Sequence, residues 1–149
     1  MKLKELMIKN VQTTTPDTTL YKAASQMKDA SVGMLPVLEG EELVGVLTDR
    51  DIVVRGLSTG KTPKCVGDVM TKRLVTMTPE AETTDAVKTM TEHCIGRLLL
   101  VDRKNHLKGV VSATDIANTD EKAFTVKELV GALGTAHRHE TPSEPLLRT

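Results

Sequence analysis

The chain repeats itself, and that repeat limits its possible folds more than any other feature. Shifting the sequence by 63 residues places Thr13 on Thr76, Thr15 on Thr78, Pro16 on Pro79, Ala23 on Ala86, Met27 on Met90, Gly33 on Gly96 and Leu35 on Leu98. A one-residue insertion then makes the shift 64, and Leu43 falls on Leu107, Gly45 on Gly109, Val46 on Val110, Asp51 on Asp115 and Ile52 on Ile116. A period this long, present only twice, describes a duplicated small domain and not a solenoid. At 149 residues the chain holds one ordinary core or two small units that share one, not two independent large domains. The copies read as residues 1–62 and 63–119, followed by a helix over 120–134 and an unstructured polar tail over 135–149.

Composition removes several functions. Tyr21 and Phe124 are the only aromatic residues, so the core is aliphatic and no platform exists for stacking the bases of a nucleic acid strand. Twenty basic and twenty acidic side chains cancel, which leaves no global field to attract polyanions or anionic membranes. Any phosphate recognition is local, and neither nucleic acid nor membrane is expected as a partner. Lys2, Lys4, Glu5 and Lys9 break up the apolar residues of the first ten positions, unlike a signal peptide. No stretch approaches the roughly 20 apolar residues of a membrane span, and the expected compartment is the cytoplasm. Cys65 and Cys94 have no paired-ligand spacing and read as free thiols. His137 and His139 flank Arg138 in the polar tail without further ligands, so no metal is expected. His93 and Cys94 are adjacent but lack an orienting third group, so catalysis is not expected either.

Each copy reads in the same order. Leu3 to Met7 is a short lead-in whose pattern recurs at Val66, Asp68, Val69 and Met70. Val11 to Thr15 reads as a strand closed by Pro16, and a helix starts near Thr18 or Thr19 with Leu20, Ala23, Ala24 and Met27 on one face. Met34 to Leu38 and Leu43 to Leu47 form a hairpin around Glu39 and Gly40. Asp51 to Leu57 is a short helix, and 58–63 is the linker between copies. The second copy has a strand near Leu74 to Met77, a helix from about Glu82 to His93, and a hairpin of Arg97 to Val101 with Leu107 to Val111. A helix follows from Asp115.

The chemistry concentrates in the stretch that closes each hairpin, Gly45 to Ile52 and Gly109 to Ile116. An apolar strand ends in a hydroxyl residue, Thr48 or Ser112, with a carboxylate three positions later, Asp51 or Asp115. This is also the pattern of a helix capping box, which needs no ligand. The two readings coexist. A helix start offers N–H groups to phosphate oxygens, while a carboxylate there repels phosphate but accepts two hydrogen bonds from a ribose diol. Donor and acceptor zones side by side fit a nucleoside phosphate.

The twofold order of strand, helix, hairpin and helix resembles the cystathionine beta-synthase (CBS) domain in its tandem form, the Bateman module, over about residues 1–118. The most specific elements are the Gly-apolar-apolar-Thr/Ser-x-x-Asp motif in both copies, Leu35-Pro36-Val37, and Asp68-Val69-Met70-Thr71. The resemblance implies an α+β fold: two repeats of strand-helix-strand-strand-helix, packed sheet against sheet with pseudo-two-fold symmetry, leaving two clefts. It implies an adenosine nucleotide as regulatory ligand (AMP, ADP or ATP, with S-adenosylmethionine or NADH as further candidates) and no other cofactor. A homodimer and an unidentified regulated protein are the implied partners.

Carried onto this chain, the resemblance gives Asp51 and Asp115 to the ribose, and Thr48, Arg50, Ser112, Thr114 and Arg97 to the phosphate side. Thr13, Met34, Pro36, Val46, Thr76, Leu99 and Val110 go to the adenine pocket. The copies depart from each other at Leu99, where Pro36 stands, and at Arg97, where Met34 stands, so the clefts are not expected to be equivalent. Arg97 also reads as a solvated surface charge, and Pro36 as the mark of an edge strand. The competing function is a structural module without a ligand, its motifs kept as caps and its apolar helix faces used for dimerisation.

Overall fold

The computed structural model describes residues 1–60, 65–120, 122, 123, 125 and 128. The end of the linker, nearly all of the expected 120–134 helix, and the tail with His137 and His139 lie outside the described residues.

The described residues form two compact units, one of residues 12–60 and 65–74 and one of residues 1–11 and 75–120. These units cross the sequence repeat. The lead-in of each copy is built into the unit that holds the other copy's hairpin.

In the first of these units helix α1, Leu20–Ala30, starts where Thr19 Oγ1 accepts the Lys22 N–H and stops at Ser31 in the left-handed conformation. Strands β1, Met34–Glu39, and β2, Glu42–Thr48, form an antiparallel hairpin whose turn places Gly40 at φ +61°, a conformation glycine adopts without cost. Alternation along the strands puts Leu35, Val37 and Leu47 on the face that α1 covers, where they join Ala23, Met27, Val66 and Val69 in the core. A 3₁₀ turn at Val66–Asp68 leads Thr71 onto β2, and Thr71 and Val46 exchange two backbone hydrogen bonds of 2.8 and 2.9 Å. Gly45 makes that approach possible, because a Cβ there would lie 2.8 Å from Met70 Sδ and 3.0 Å from the Thr71 carbonyl.

Two expectations in this unit need correction. Val11 to Thr15 is not a strand: Thr14 alone makes a parallel bridge, its N–H donating to the Pro36 carbonyl and its own carbonyl accepting from Leu38. The run Gln12-Thr13-Thr14-Thr15 has no alternating apolar residues to bury, and Pro16 ends it. After β2 the chain makes one α-turn, α2, Asp49–Asp51, and then winds as a π-helix over Ile52–Leu57, with the Ser58 N–H donating five residues back to Val53. Val53, Val54 and Gly56 are weak α-formers, which fits the loosened winding.

The other unit follows the same plan. Strand β3, Thr76–Met77, lies parallel to β4, Arg97–Val101, which pairs antiparallel with β5, Leu107–Ser112, in the order β3-β4-β5. Helix α3, Thr83–His93, packs against β4 and against α4, Ala113–Thr119. Leu98, Leu100, Val111, Met90 and Ile116 are fully buried. The lead-in is a 3₁₀ turn at Leu3–Glu5 that carries Ile8 to β5, where Ile8 and Val110 exchange hydrogen bonds of 2.9 and 3.0 Å. Gly109 repeats the role of Gly45, since a Cβ at this position would lie only 2.7 Å from the Ile8 carbonyl.

Candidate functional site

Strand register gathers the sequence-selected residues on one face of each sheet. Met34 pairs with Thr48 and Pro36 with Val46, while Arg97 pairs with Ser112 and Leu99 with Val110. Alternation places all of these on the face opposite Leu35, Val37 and Leu47, or opposite Leu98, Leu100 and Val111. Thr76 extends the second row beside Leu99, and the Thr14–Val37 bridge brings Thr13 beside Pro36. Each unit thus has an apolar row, with the hydroxyl of the motif two residues along the strand toward the helix. Met34, Pro36, Val46, Leu99 and Val110 are buried, Thr13, Thr76 and Arg97 are half-buried, and Arg50 and Thr114 are exposed.

Both helix heads carry a complete capping box. Thr48 Oγ1 accepts the Asp51 N–H at 3.0 Å, and Asp51 Oδ2 accepts the Thr48 N–H at 3.0 Å. In the second unit Ser112 Oγ accepts the Asp115 N–H at 3.0 Å, and Asp115 Oδ2 accepts the Ser112 hydroxyl at 2.6 Å and its N–H at 3.4 Å. This pairing limits the phosphate reading made from sequence. The three N–H groups of α2 go to the Gly33 carbonyl, to Asp49 Oδ1 and to Thr48 Oγ1. In α4 the Ala113 and Asp115 donors are taken by the Gly96 carbonyl and Ser112 Oγ. Backbone donors at a helix start bind anions only while free.

The two carboxylates differ in what else reaches them. Thr71 Oγ1 donates to Asp51 at 3.3 Å from either carboxylate oxygen, and the Arg55 Nε lies 3.8 Å from Oδ1. Asp51 is only 4% exposed. Burial is the largest influence on its carboxyl and pushes the pKa above the usual carboxylate range, against the Thr48 N–H, Arg55, the Thr48 hydroxyl and Thr71, which all favour the charged form. Asp115 is half-buried. The 63-residue shift puts Ile8 where Thr71 stands, and the 64-residue shift puts Thr119 where Arg55 stands. The Ile8 side chain has no hydrogen-bond donor, and the residue is 55% exposed.

Thr71, Arg55 and Ile8 are the residues that motif reasoning missed. The signal for two of them was present in the recurrence of the lead-in, which aligns Ile8 with Thr71 next to the motif's own strand.

Residues 3–57 and 66–121 each match the family model of the CBS domain. The chain belongs to the CBS domain family. Its two CBS domains are 42% identical over 118 residues to the CBS domain-containing protein YhcV of Bacillus subtilis, covering 77% of this chain and 82% of that protein. Among solved structures, the CBS domain protein TA0289 of Thermoplasma acidophilum superposes with a TM-score of 0.76 at 22% identity, covering 91% of this chain and 75% of that one. CBSX2 in complex with AMP gives a TM-score of 0.72 at 23% identity, over 81% of this chain and 96% of that one. The CBS domain pair of MJ0100, in complex with 5′-methylthioadenosine and S-adenosylmethionine, gives 0.70 at 23% identity over 79% and 98%. At these identities the structures establish a shared α+β fold.

No helix among the described residues is long and apolar enough to cross a membrane.

Proposed function

We propose that this chain is a regulatory module, not an enzyme, that binds an adenosine nucleotide and passes its presence to a partner protein. The observation that carries the reading is the half-buried Ser112–Asp115 pair, at the helix end of the sheet row of Arg97, Leu99 and Val110. A half-buried carboxylate there suits a ribose diol, and the row beside it suits a base. CBS pairs of the same fold in complex with AMP, 5′-methylthioadenosine and S-adenosylmethionine support an adenosyl ligand.

Because most N–H donors of the helix starts are paired, phosphate contacts fall to side chains, with Arg97 and Thr114 in one copy and Arg50 in the other. Competition between AMP and ATP for such a site would make the module a sensor of energy state. A ligand regulates only through different affinities for two arrangements of the module, and we place the regulated partner protein in the cytoplasm. Isothermal titration against AMP, ADP, ATP, NADH and S-adenosylmethionine tests the reading. Heat with at least one, lost in Asp115→Ala, supports it; silence with all five sinks it.

The alternative, a structural dimerisation module, draws on two observations. One box is closed by internal partners, and Val53, Val54 and Leu57 are exposed on the π-helical segment. We assign self-association to that segment; sedimentation equilibrium of a Leu57→Glu variant tests the assignment.

A further inference from the structure

We propose that the unit built on β3, β4 and β5 carries a ligand site apart from the repeated motif, a cavity that takes an organic phosphate monoester, with Lys9 and Arg103 as its phosphate anchors. Lys108, on the edge of that cavity, stands four residues before Ser112 along β5, about 13 Å at the rise of a strand.

Three segments enclose the space. The lead-in brings Lys4, Met7 and Lys9, the loop from β3 to α3 brings Pro79 and Glu80, and the turn between β4 and β5 brings Asp102 and Arg103. Backbone hydrogen bonds of 2.9 Å, from the Leu3 N–H to the Ala81 carbonyl and from the Lys4 N–H to the Pro79 carbonyl, fasten the lead-in to the loop, and the exchange between Ile8 and Val110 fastens it to β5. The walls are therefore set by the fold. Their volume is about 720 Å³, within the roughly 300–1,000 Å³ of small-molecule sites.

Charge decides what fits. Both acids of the cavity are spent on internal partners: Lys4 Nζ lies 3.0 and 3.1 Å from the Glu80 carboxylate oxygens, and Lys108 Nζ lies 3.2 Å from Asp102 Oδ2, while Asp102 Oδ1 accepts the Lys104 and His106 N–H groups. Lys9 and Arg103 remain. Among the described residues neither of these side chains has a hydrogen-bond or ion-pair partner. Two unspent cations in one cavity attract a dianion, and a phosphate monoester carries about −1.5 to −2 at neutral pH. The guanidinium fork matches two phosphate oxygens, and the ammonium adds a point charge. Met7 and Pro79, both half-buried, supply apolar surface for the organic body of the ester.

Titration of the full chain with phenyl phosphate, followed through amide chemical shifts, tests the proposal. Shifts are expected to centre on Met7, Lys9, Glu80, Arg103 and Lys108. The double variant Lys9→Gln, Arg103→Gln changes two exposed side chains that bond nothing in the fold, and is expected to keep the native spectrum while weakening binding about tenfold or more. Inorganic phosphate, which lacks the apolar body, and benzoate, which lacks the second charge, are each expected to bind about threefold or more weakly than phenyl phosphate. An unmoved spectrum, shifts centred on Ser112 and Asp115 instead, a double variant that binds as tightly as the native chain, or either control binding as tightly as phenyl phosphate would each overturn the proposal. The motif contributes no residue to this cavity, so failure here leaves the adenosine reading standing.

Discussion

Asp51 shows how a residue chosen for a ligand can be committed to the fold. Its capping bonds with Thr48 span three residues and could be read directly from the Thr-x-x-Asp pattern. The bond to Thr71 spans twenty, and no periodicity carries that information. The burial that raises its pKa has a measurable consequence. Between the unfolded value near 3.9 and the raised folded value, the native state binds more protons than the unfolded state, so the contribution of Asp51 to stability falls as pH rises through that window. Denaturant unfolding of the native chain and of Asp51→Asn, measured from about pH 4 to 7, is expected to show the native chain losing stability relative to the variant as pH rises. A difference moving the other way would mean that the Thr48, Thr71 and Arg55 interactions outweigh desolvation.

Among the elements, those with a strong local signal were legible in the sequence. The period of 3.6 in Leu20, Ala23 and Met27, a hydroxyl cap at Thr19, and two apolar runs joined by Glu39 and Gly40 define α1 and the first hairpin nearly to the residue. The second copy follows by repetition. Two elements depart from the pattern: the polar run before Pro16 offers nothing to bury, and the winding after Asp51 contains the weak α-formers Val53, Val54 and Gly56, with both valines exposed. The motif glycines read as part of a ligand signature, yet Gly45 and Gly109 are required because a lead-in backbone crosses them. Gly109→Ala is therefore expected to cost about 1–3 kcal/mol through overpacking against Ile8 and Met7, with faster hydrogen exchange at the Ile8 and Val110 amides. Unchanged exchange there would show that the lead-in does not depend on the glycine.

Across the whole molecule, duplication was plain from sequence, whereas the composition of the compact units was not. Residues 1–11 belong with the second hairpin and residues 65–74 with the first, because Ile8 pairs with Val110 and Thr71 with Val46. Either lead-in has the pattern to serve either copy, so local sequence cannot decide between them. That exchange determines which lead-in residue, Thr71 or Ile8, stands beside each motif strand. The most direct measurement is denaturant unfolding of the full chain with and without AMP. At an AMP concentration 100 times its dissociation constant, stability is expected to rise by about 2.7 kcal/mol per bound nucleotide. An unfolding curve unmoved by AMP, ADP, ATP, NADH and S-adenosylmethionine alike would contradict the account and leave the motifs as helix caps alone.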